Sequence, residues 1–307
     1  MKSKYLITGG LGFIGSHLVE ALVKKGERVR IVDNLSTGKR ENIAGFDKNV
    51  EVIIADIRDK EAMEAACADV DYLCHLAAMV SVFDSVKRPM ENHDINITGT
   101  LNMFMAAKNN GVGRVVLASS CSIYGDDPIL PKTENMTPAP ASPYALAKLF
   151  GEQYGALFSG LYGLSVVNLR FFNVYGPRQD PDSAYSGVIS RFTDKLKKGE
   201  QPQIFGNGEQ SRDFIYVLDV VKAILLFMHK KGLENGETIN VGTGKGNSLL
   251  TLLATMGRII GVSPEPQFFP PRQGDVMHSY ADINKAKKLD FVPDYDLEKG
   301  LYNLMKA

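Results

Sequence analysis

The sequence predicts an α/β fold: a doubly wound parallel sheet with helices on both faces, followed by a smaller α/β lobe at the C-terminal end. Short runs rich in Val, Ile and Leu alternate with amphipathic stretches through the first half of the chain. These runs are too apolar for strands with one solvated face, which indicates strands buried on both sides. After Asn173 a long polar loop with Pro and Gly begins, and this change predicts the second lobe.

The elements of the first half follow from these runs in order. The predicted strands are "KYLITGG", "RVRIVDN", "VEVIIADI", "VDYLCHLAA", "RVVLASS" and "LSVVNLRFFN". The first strand ends in a glycine-rich turn, and "SHLVEALVKKG" after it has the period of a helix closed by Gly26. Long helical patterns cover residues 89–110 and 143–160. Pro143 suits the first turn of the second of these helices.

The second half contains fewer clear elements. "VISRFTDKLKKG" predicts a helix, and "ETINVG", residues 237–242, predicts one further strand. A chain of 307 residues is long enough for two domains. We expect residues 1–173 to form the sheet domain, with strand 237–242 returning to it. Residues 174–236 and 243–307 form the second lobe.

Composition argues against several classes of function. The chain has 35 basic and 35 acidic residues, so it lacks the basic excess that is typical of nucleic-acid and membrane-surface binders. Its three cysteines form no CxxC pair, so we expect no disulfide framework and no metal site. No apolar run reaches about 18 residues, and no apolar leader precedes the first strand. We therefore expect no membrane span and a cytoplasmic location.

The turn after the first strand carries the first chemical signal. In "TGGLGFIGSH", Gly9, Gly12 and Gly15 follow a strand and open a helix. Glycines let the backbone approach a pyrophosphate, which the unpaired N–H groups and the positive dipole end of the helix attract. The alternative is a turn whose glycines serve packing alone. The strand–turn–helix context favours dinucleotide binding.

Asp33, at the end of the next strand, indicates which dinucleotide binds. A carboxylate there can accept a hydrogen bond from a ribose 2′-hydroxyl and would repel a 2′-phosphate, which favours NAD over NADP. Lys39 and Arg40 are the opposing signal, because either could meet a phosphate. The sequence therefore predicts a Rossmann-like NAD-binding domain over residues 1–173.

Tyr144 and Lys148 indicate an acid–base site. At i, i+4 spacing the two side chains share one face of the predicted helix. Free tyrosine titrates near pH 10, and a pKa about three units lower needs roughly 4 kcal/mol of differential stabilisation. A lysine ammonium and a nicotinamide ring cation close to the phenol would supply it. The alternative is an amphipathic helix with an incidental Tyr and Lys, which the glycine turn and the serines at the end of the preceding strand disfavour.

Several segments resemble a known family. "TGGLGFIGSH", "SSCSIYGD" and "YALAK" resemble motifs of the extended short-chain dehydrogenase/reductase family, and the resemblance covers nearly the whole chain. "LRFFNVYGPRQDP", "FGNGEQSRDFIYVLDV" and "RQGDVMHSYADI" resemble substrate-side motifs of nucleotide-sugar 4-epimerases of the UDP-glucose and UDP-N-acetylglucosamine type. The resemblance implies a Rossmann-like fold, bound NAD and a UDP-sugar substrate.

The resemblance also implies roles for the hydroxyl groups. Ser120 would polarise the sugar 4-oxygen while Tyr144, supported by Lys148, removes or returns its proton. Ser122 could share the role of Ser120, and which of the two is the main catalytic serine stays open. The C4 hydride would pass to NAD⁺ and return to the opposite face of a 4-keto sugar, so no net oxidation occurs. Ser119 is expected on the cofactor side or as a structural residue.

Two sets of contacts follow from the motifs and the resemblance. Expected cofactor contacts are Gly9, Gly12, Phe13, Ile14, Gly15, Asp33, Asn34, Ser36, Gly38, Asp56, Ile57, Leu76, Ala77, Ala78, Ser119, Tyr144 and Lys148. Expected substrate contacts are Asn96, Ser120, Tyr144, Phe172, Asn173, Val188, Gln203, Phe205, Arg212, Arg272, Asp275 and Ser279. The resemblance implies Arg212 and Arg272 as the diphosphate ligands, and a guanidinium fork suits phosphate oxygens; a salt bridge is the alternative for either. His75 is expected instead as a buried, hydrogen-bonded core residue.

Two positions bear on the reaction and its substrate. Sugar dehydratases and decarboxylases that resemble this family carry an acid before the "YG" pair, whereas "SSCSIYG" has none, which favours epimerisation. Ser279 stands where strict UDP-glucose epimerases resemble each other in having a bulky tyrosine. A 2-acetamido group should then fit, unless His278 or Tyr280 fills the space. We therefore predict interconversion of UDP-Glc with UDP-Gal, and of UDP-GlcNAc with UDP-GalNAc.

Two alternatives remain for the function. Another NAD-dependent nucleotide-sugar enzyme, such as a UDP-glucuronate 4-epimerase or a 4-ketoreductase, would share the same motifs. A non-catalytic NAD(H) sensor is disfavoured because Ser120, Tyr144 and Lys148 are all present. Val80 departs from the family, since many related epimerases carry a lysine at that place.

The two long helices also suggest self-association. They carry apolar residues beyond one stripe: Leu101, Met103, Phe104, Met105, Leu146, Leu149, Phe150 and Tyr154. In similar proteins such helices form a four-helix interface, so we expect a homodimer. Burial of both helices within one subunit is the alternative.

Overall fold

The computed structural model describes residues 2–180, 187–234, 236–271 and 276–306. Its strands are β1 Lys4–Thr8, β2 Arg28–Asp33, β3 Val50–Ile54, β4 Tyr72–His75, β5 Arg114–Ser120, β6 Val166–Phe171, β7 Asn173–Tyr175, β8 Gln203–Phe205, β9 Ser211–Arg212, β10 Phe214–Tyr216, β11 Glu237–Val241, β12 Asn247–Ser248, β13 Gln267–Phe269 and β14 His278–Ser279. Its α-helices are α1 Phe13–Lys24, α2 Lys60–Ala66, α3 Val82–Lys87, α4 Pro89–His93, α5 Gly99–Asn109, α6 Pro143–Tyr162, α7 Val188–Lys197, α8 Val217–His229, α9 Leu249–Ile260, α10 Asn284–Lys288 and α11 Leu297–Lys306. Short 3₁₀ turns cover Arg40–Ile43, Asp47–Asn49 and Cys121–Tyr124, and a π-helical turn covers Asp94–Thr98.

Within the described chain, one sheet has seven strands in the order β11-β6-β5-β4-β1-β2-β3. The pairs β1–β2, β2–β3, β1–β4 and β4–β5 are parallel. The chain winds from β1 outward to β3, then resumes beside β1 with β4 and continues in the other direction. The order reverses between β1 and β4, which is the switch point where open α/β sheets bind ligands at the carboxyl ends of their strands. The predicted doubly wound parallel sheet is confirmed.

The helices cover the sheet through a shared apolar core. Leu6 of β1 and Leu117 of β5 pack in one cluster with Met103 and Phe104 of α5 and Phe158 of α6. The rings of Phe104 and Phe158 stack with centroids 5.2 Å apart. Met103 and Phe104 were predicted at a dimer interface, and that part of the prediction is wrong. Both side chains are fully buried within the single chain because they face the sheet.

The predicted helix ends are confirmed where their capping chemistry is visible. Gly26 follows α1 with a φ of 76°, a left-handed conformation that glycine tolerates best. The Ser142 side chain accepts a hydrogen bond from Ala145 N at 3.1 Å, and Pro143 occupies the first turn of α6. The helical pattern over residues 89–110 is α4, the π-helical turn and α5 in succession.

The chain divides into two compact units. Unit 1 contains Met1–Ile123, Pro140–Arg170 and Val221–Ile239. Unit 2 contains Tyr124–Ala139, Phe171–Val220 and Asn240–Ala307.

These bounds differ from the predicted domains in two long segments and in two short ones, residues 171–173 and 240–242, which belong to unit 2. Residues 221–236, predicted in the lobe, belong to unit 1, where Arg114 donates to the carbonyl of Lys230 at 2.6 Å. Residues 124–139, predicted in the sheet domain, belong to unit 2, where the Asn240 side chain donates to the carbonyl of Lys132 at 2.8 Å. Long-range hydrogen bonds of this kind are not visible in local sequence patterns.

Unit 2 contains three small sheets among its described residues. Strand β7 pairs with β10 in parallel, and β8 pairs with β13 in parallel. Strand β9 pairs with β12 antiparallel and with β14 parallel. None of the helices that the structure describes, in either unit, combines the length and apolar character needed to cross a membrane.

Candidate active site

The glycine turn lies between β1 and α1, and its glycines have different roles. A Cβ on Gly15 would lie 2.1 Å from the carbonyl oxygen of Gly9, and one on Gly9 would lie 2.9 Å from the nitrogen of Ala77. These two glycines therefore permit close packing. A Cβ on Gly12 would meet only the Gly9 oxygen, at 3.2 Å. Gly12 is the N-cap of α1, and neither a capping side chain nor an acidic residue occupies the first turn, which begins with Phe13 and Ile14. That end of the helix suits a pyrophosphate.

Asp33 ends β2 and connects it to the glycine turn. Its buried carboxylate accepts hydrogen bonds from Leu11 N at 3.0 Å and Leu35 N at 2.9 Å. Burial raises the pKa of Asp33, and these two backbone hydrogen bonds oppose the shift. A Cβ on Gly38 would lie 2.6 Å from an Asp33 oxygen, so only glycine fits against this carboxylate. Each carboxylate oxygen retains acceptor capacity for a ribose hydroxyl.

The residues predicted near the adenine lie after β2 and β3. The Asn34 side chain donates to Asp56 at 2.8 Å and accepts from Ser36 N at 3.0 Å. The Arg58 guanidinium donates to both Asp56 oxygens and holds the pKa of that carboxyl well below its usual range. Ile57 beside it is buried. The structure thus places these expected cofactor residues together.

The segment after β4 lies beside the glycine turn. The Thr8 hydroxyl accepts hydrogen bonds from Leu76 N and Ala77 N, at 3.2 and 3.3 Å, and Ala78 follows, partly buried. His75 is buried, with its ring nitrogens 2.8 Å from the Thr8 hydroxyl and 3.1 Å from the Thr100 hydroxyl. Burial, with a smaller contribution from the Lys148 charge, lowers the pKa of His75 to about 3. The prediction of a buried, hydrogen-bonded core histidine is confirmed.

Asn96 holds this segment in place. Its buried amide donates to the carbonyl of Met79 at 2.9 Å and to Asn92 at 2.7 Å, and it accepts from Met79 N at 2.8 Å. Both donors of the amide are therefore used within unit 1. Asn96 lies in the π-helical turn, a feature that is frequent at functional sites. Its contact with a substrate stays a prediction.

The three main catalytic candidates lie together in unit 1. Tyr144 is in the first turn of α6, and Ser120, at the end of β5, lies close enough to the phenol to lower its pKa. The Lys148 ammonium lies 5.7 Å from the centre of the Tyr144 ring and donates to the carbonyl of Ala118 at 2.9 Å. The arrangement joins a phenol, a hydroxyl and a cation at the carboxyl end of β5.

The ionisation of these groups differs from the prediction. Burial raises the pKa of Tyr144 to about 12, and the nearby Ser120 hydroxyl offsets this only in part. The expected lowering of this pKa is therefore absent from the protein alone. A phenolate at pH 7 would cost about 7 kcal/mol, at 1.36 kcal/mol for each unit. Burial also lowers the pKa of Lys148 to about 8.

The two serines around Ser120 differ in their environments. Ser119 is buried and donates to Glu152 at 2.5 Å. Of its two expected roles, on the cofactor side or structural, this contact fits the structural one. The Ser122 nitrogen donates to the Ser120 hydroxyl oxygen at 3.2 Å. The Ser122 hydroxyl oxygen is buried and has no hydrogen-bond partner among the described residues.

Glu152 and Arg170 were missed by the sequence reasoning. Arg170, on β6, donates to the two oxygens of Glu152 at 2.9 and 2.7 Å, and both side chains are buried. Glu152 continues the four-residue spacing of Tyr144 and Lys148 along α6, and Arg170 is a charged residue in a strand that is otherwise uncharged. Those two features were the available signals, because a buried charge needs a partner.

Unit 2 carries most of the expected substrate residues. Arg212, on β9, donates to the carbonyls of Ser211 and Met277, at 2.9 and 3.3 Å, and its Cα is in register with that of Ser279 on β14. Asn173 is exposed, and Phe172 beside it is buried. Val188 opens α7, Gln203 is exposed on β8, and the Phe205 ring lies 5.4 Å from that of Phe269. Arg272 and Asp275 lie outside the described residues.

Asp213, also missed, ties these strands together. Its fully buried carboxylate accepts hydrogen bonds from Thr243 N, the Thr243 hydroxyl, Gly244 N and Ala281 N. Burial raises the pKa of Asp213, and the hydrogen bonds oppose the shift. Asp213 follows Arg212 and its nitrogen donates to the carbonyl of Ser279 at 3.0 Å, so it sets the position of both.

Together the fold, the switch-point turn and Asp33 fit one class of protein, the NAD-dependent α/β enzymes. Among the described residues, no group of three or more His, Cys, Asp or Glu side chains could hold a metal ion. The chain belongs to the NAD dependent epimerase/dehydratase family, whose profile matches residues 5–242. Its cofactor is NAD.

Solved structures and curated relatives agree with this family. The chain is 41% identical to UDP-N-acetylglucosamine 4-epimerase from Methanobrevibacter ruminantium M1, solved with UDP-N-acetylmuramic acid, with a TM-score of 0.95 over 100% of this chain and 98% of that one. It is 40% identical to UDP-glucose 4-epimerase from Thermotoga maritima, solved with UDP-glucose, with a TM-score of 0.93 over 99% and 97% of the two chains. For the Thermus thermophilus UDP-glucose 4-epimerase complex with NAD, the identity is 37% and the TM-score 0.90, over 99% and 98%.

Relatives with other activities also match at somewhat lower identity. A UDP-glucuronate 4-epimerase from Thermodesulfobacterium geofontis is 35% identical over 97% of this chain and 93% of its own length. A UDP-N-acetyl-alpha-D-glucosaminuronate decarboxylase from Bacillus cytotoxicus is 35% identical over 98% of this chain and 96% of its own length. The family is therefore shown, and the sugar is the open question.

Proposed function

We propose that the protein is a UDP-hexose 4-epimerase that interconverts UDP-Glc and UDP-Gal and also accepts UDP-GlcNAc and UDP-GalNAc. The observation that carries the proposal is the Lys148 ammonium, which lies 5.7 Å from the centre of the Tyr144 ring and is held by the Ala118 carbonyl two residues before Ser120. The segment that follows Ser120 is Cys121, Ser122, Ile123 and Tyr124, with no carboxylate to protonate a leaving group. This favours inversion of a hydroxyl over elimination of water or loss of carbon dioxide.

The residues divide the work at the sugar 4-hydroxyl. NAD supplies the reversible redox chemistry at C4. Tyr144 takes the proton of the 4-hydroxyl and gives it back, and Ser120 donates a hydrogen bond to the 4-oxygen as negative charge develops there. The Lys148 ammonium reduces the cost of the Tyr144 phenolate. We propose Arg212 and Asn173 as ligands of the UDP diphosphate, in keeping with the guanidinium fork of the first and the exposed amide of the second.

The surroundings of Ser279 support the wider substrate range. His278 and Tyr280 are the neighbours that could have filled the space. Each of these two side chains has a contact elsewhere, with β9 or with the residue before β12. His278 lies 2.9 Å from the Ser211 hydroxyl, and a Cβ on Gly246 would lie 3.1 Å from the Tyr280 ring. The small Ser279 side chain therefore leaves room for a 2-acetamido group.

A substrate panel tests the proposal. The purified protein is incubated without added NAD with UDP-Gal, UDP-GalNAc or UDP-GlcA, and the products are separated by chromatography. Conversion of the first two is expected. Conversion of UDP-GlcA alone would replace the proposal with a UDP-glucuronate 4-epimerase, which the matching relative makes the second candidate. Conversion of none would favour a non-catalytic NAD-binding protein.

Two variants test the roles proposed for Tyr144 and Ser279. Tyr144→Phe should abolish turnover and leave NAD binding and the circular dichroism spectrum unchanged, because the phenyl ring keeps the packing and loses the proton. Retained turnover would remove Tyr144 from its assigned role. Ser279→Tyr should lose UDP-GalNAc conversion and keep UDP-Gal conversion. Equal loss of both would show that Ser279 does not select the sugar.

We also propose that the protein is a homodimer. Leu146, Leu157 and Leu161 of α6 are exposed by 55, 52 and 69%, which is unusual for three leucines of one helix. Leu149, Phe150 and Tyr154 on the same helix and Leu101 and Met105 on α5 are partly buried. A second copy would cover this surface. Sedimentation equilibrium gives the mass directly, and a monomer at all concentrations would contradict the proposal.

A further inference from the structure

Lys148 and Glu152 do not form the ion pair that their spacing favours. They lie one helical turn apart on α6, where opposite charges at i, i+4 normally attract. Glu152 is instead fully engaged elsewhere: one oxygen accepts from the Ser119 hydroxyl at 2.5 Å and from Arg170 Nε at 2.9 Å, and the other accepts from Arg170 Nη2 at 2.7 Å. No carboxylate in the described part of the chain pairs with Lys148, whose ammonium donates to the Ala118 carbonyl at 2.9 Å.

We propose that Arg170 and Ser119 are positioning residues that hold Glu152 away from Lys148, so that the Lys148 ammonium acts on Tyr144. The proposal rests on the proposed epimerase function for the role of that charge. Arg170 suits the task because its planar fork occupies both carboxylate oxygens at once, which a lysine could not do. Ser119 fixes the same carboxylate from β5, and Arg170 fixes it from β6.

Because these side chains are buried, the choice of cation that pairs with Glu152 has a large energetic effect. The side chains of Arg170 and Glu152 are exposed by only 5 and 4%, and Lys148 by 9%. Without Arg170, Glu152 would be a buried charge with one hydroxyl partner, and the nearest unpaired cation on its helix is Lys148. A Lys148 ammonium neutralised in this way would no longer favour the Tyr144 phenolate.

The carboxylates of the neighbouring helices do not offer a competing partner, because Asp84 of α3 and Glu91 of α4 pair with Arg88, and Asp94 of the π-helical turn is exposed. From β4, His75 is neutral, because burial and the Lys148 charge lower its pKa to about 3. From α5 and the π-helical turn, Thr100 and Asn96 do not titrate and are hydrogen-bonded within unit 1. Cys121 follows β5 as a thiol, and Tyr144 itself is on α6.

The titration of Lys148 tests the proposal directly. The NAD-bound protein is labelled with ¹³C-lysine, and the Cε shift of Lys148 is followed against pH, with the resonance assigned by its loss in Lys148→Met. In Arg170→Met we expect the midpoint to rise by about one pH unit or more as Glu152 turns to Lys148. Turnover should fall roughly tenfold or more, which is the rate equivalent of one pKa unit, and KM for the UDP-sugar should stay nearly constant. Ser119→Ala should move the midpoint in the same direction and less far.

A second substitution separates positioning from structural support. Arg170→Met combined with Glu152→Gln removes the competing charge, so the Lys148 midpoint and part of the turnover should return. A purely structural role predicts the opposite, since the double variant would be no better than the single one. An unchanged midpoint in Arg170→Met would also overturn the proposal.

Separate controls address a variant that does not fold and a protein that does not turn over a UDP-sugar. If Arg170→Met does not fold, Ser119→Ala decides in its place: a raised midpoint supports the proposal, and an unchanged midpoint overturns it. Arg170→Lys, which keeps the charge and loses the fork, serves as the conservative control and should shift the midpoint less than Arg170→Met. The midpoint does not depend on turnover, so failure of the unmodified protein to convert any UDP-sugar would refute the proposed function while this measurement still decides the positioning role.

Discussion

Replacing Lys148 should make the protein more stable while it removes activity. Burial lowers the pKa of Lys148 from 10.5 to about 8, so holding the charged form in the folded protein costs about 3 kcal/mol at neutral pH. Lys148→Met keeps the length of the side chain and removes that charge. The substitution also loses the hydrogen bond to the Ala118 carbonyl, which reduces the gain by about 1 kcal/mol. The net gain for Lys148→Met at pH 7 is about 2 kcal/mol.

The pH dependence of this gain has a definite sign. Between about pH 8 and pH 10.5 the unfolded lysine is protonated and the folded one is not. The unfolded state of the unmodified protein then binds more protons, so its stability rises with pH through this window. Lys148→Met lacks this group, so its advantage should shrink from pH 8 upward and disappear by about pH 10.

Guanidinium denaturation of the cofactor-free protein at several pH values measures the effect. At pH 7 we expect the free energy of unfolding of Lys148→Met, extrapolated to zero denaturant, to exceed that of the unmodified protein by about 2 kcal/mol. Parallel pH profiles for the two proteins, or a less stable variant at pH 7, would refute the reasoning. Either result would mean that Lys148 is not held against a desolvation cost.

Three further predictions concern the glycine turn, the Asp213 carboxylate and the exposed surface of α6. Gly15→Ala should lower the free energy of unfolding by about 1–3 kcal/mol because its Cβ would lie 2.1 Å from a carbonyl oxygen. Gly12→Ala, whose Cβ would lie 3.2 Å from that oxygen, should keep the stability and lose NAD affinity. Titration calorimetry with NAD distinguishes the loss of affinity from the loss of stability. Asp213→Ala leaves one buried and three partly buried donors without their acceptor and should cost about 3–5 kcal/mol in denaturant unfolding. A loss under about 1 kcal/mol would contradict the role of Asp213 in joining these segments. Leu157→Glu should convert a homodimer to a monomer in sedimentation without loss of helicity, and an unchanged mass would exclude α6 from the interface.

The sequence alone determined the sheet and most of its helices. Hydrophobic period and turn residues act within a few positions, so they were enough to predict β1, α1 and the helix that begins at Pro143. The glycine turn, Asp33 and the Tyr144–Lys148 pair were recognisable for the same reason, since their chemistry depends on short spacings along the chain. The burial of His75 followed from its place in an apolar strand.

The tertiary structure decided which groups surround the reactive ones. Glu152 and Arg170 are 18 positions apart, and Asp213 contacts Thr243 30 positions away, so no local pattern links them. The inward orientation of Met103 and the division of the chain into units also depend on distant segments. The pKa of Tyr144 is the clearest case: its spacing from Lys148 suggested a lowered pKa, but burial, which depends on the whole fold, raises it to about 12. Desolvation and hydrogen-bond partners are properties of packed segments, and packing is settled only when remote parts of the chain meet.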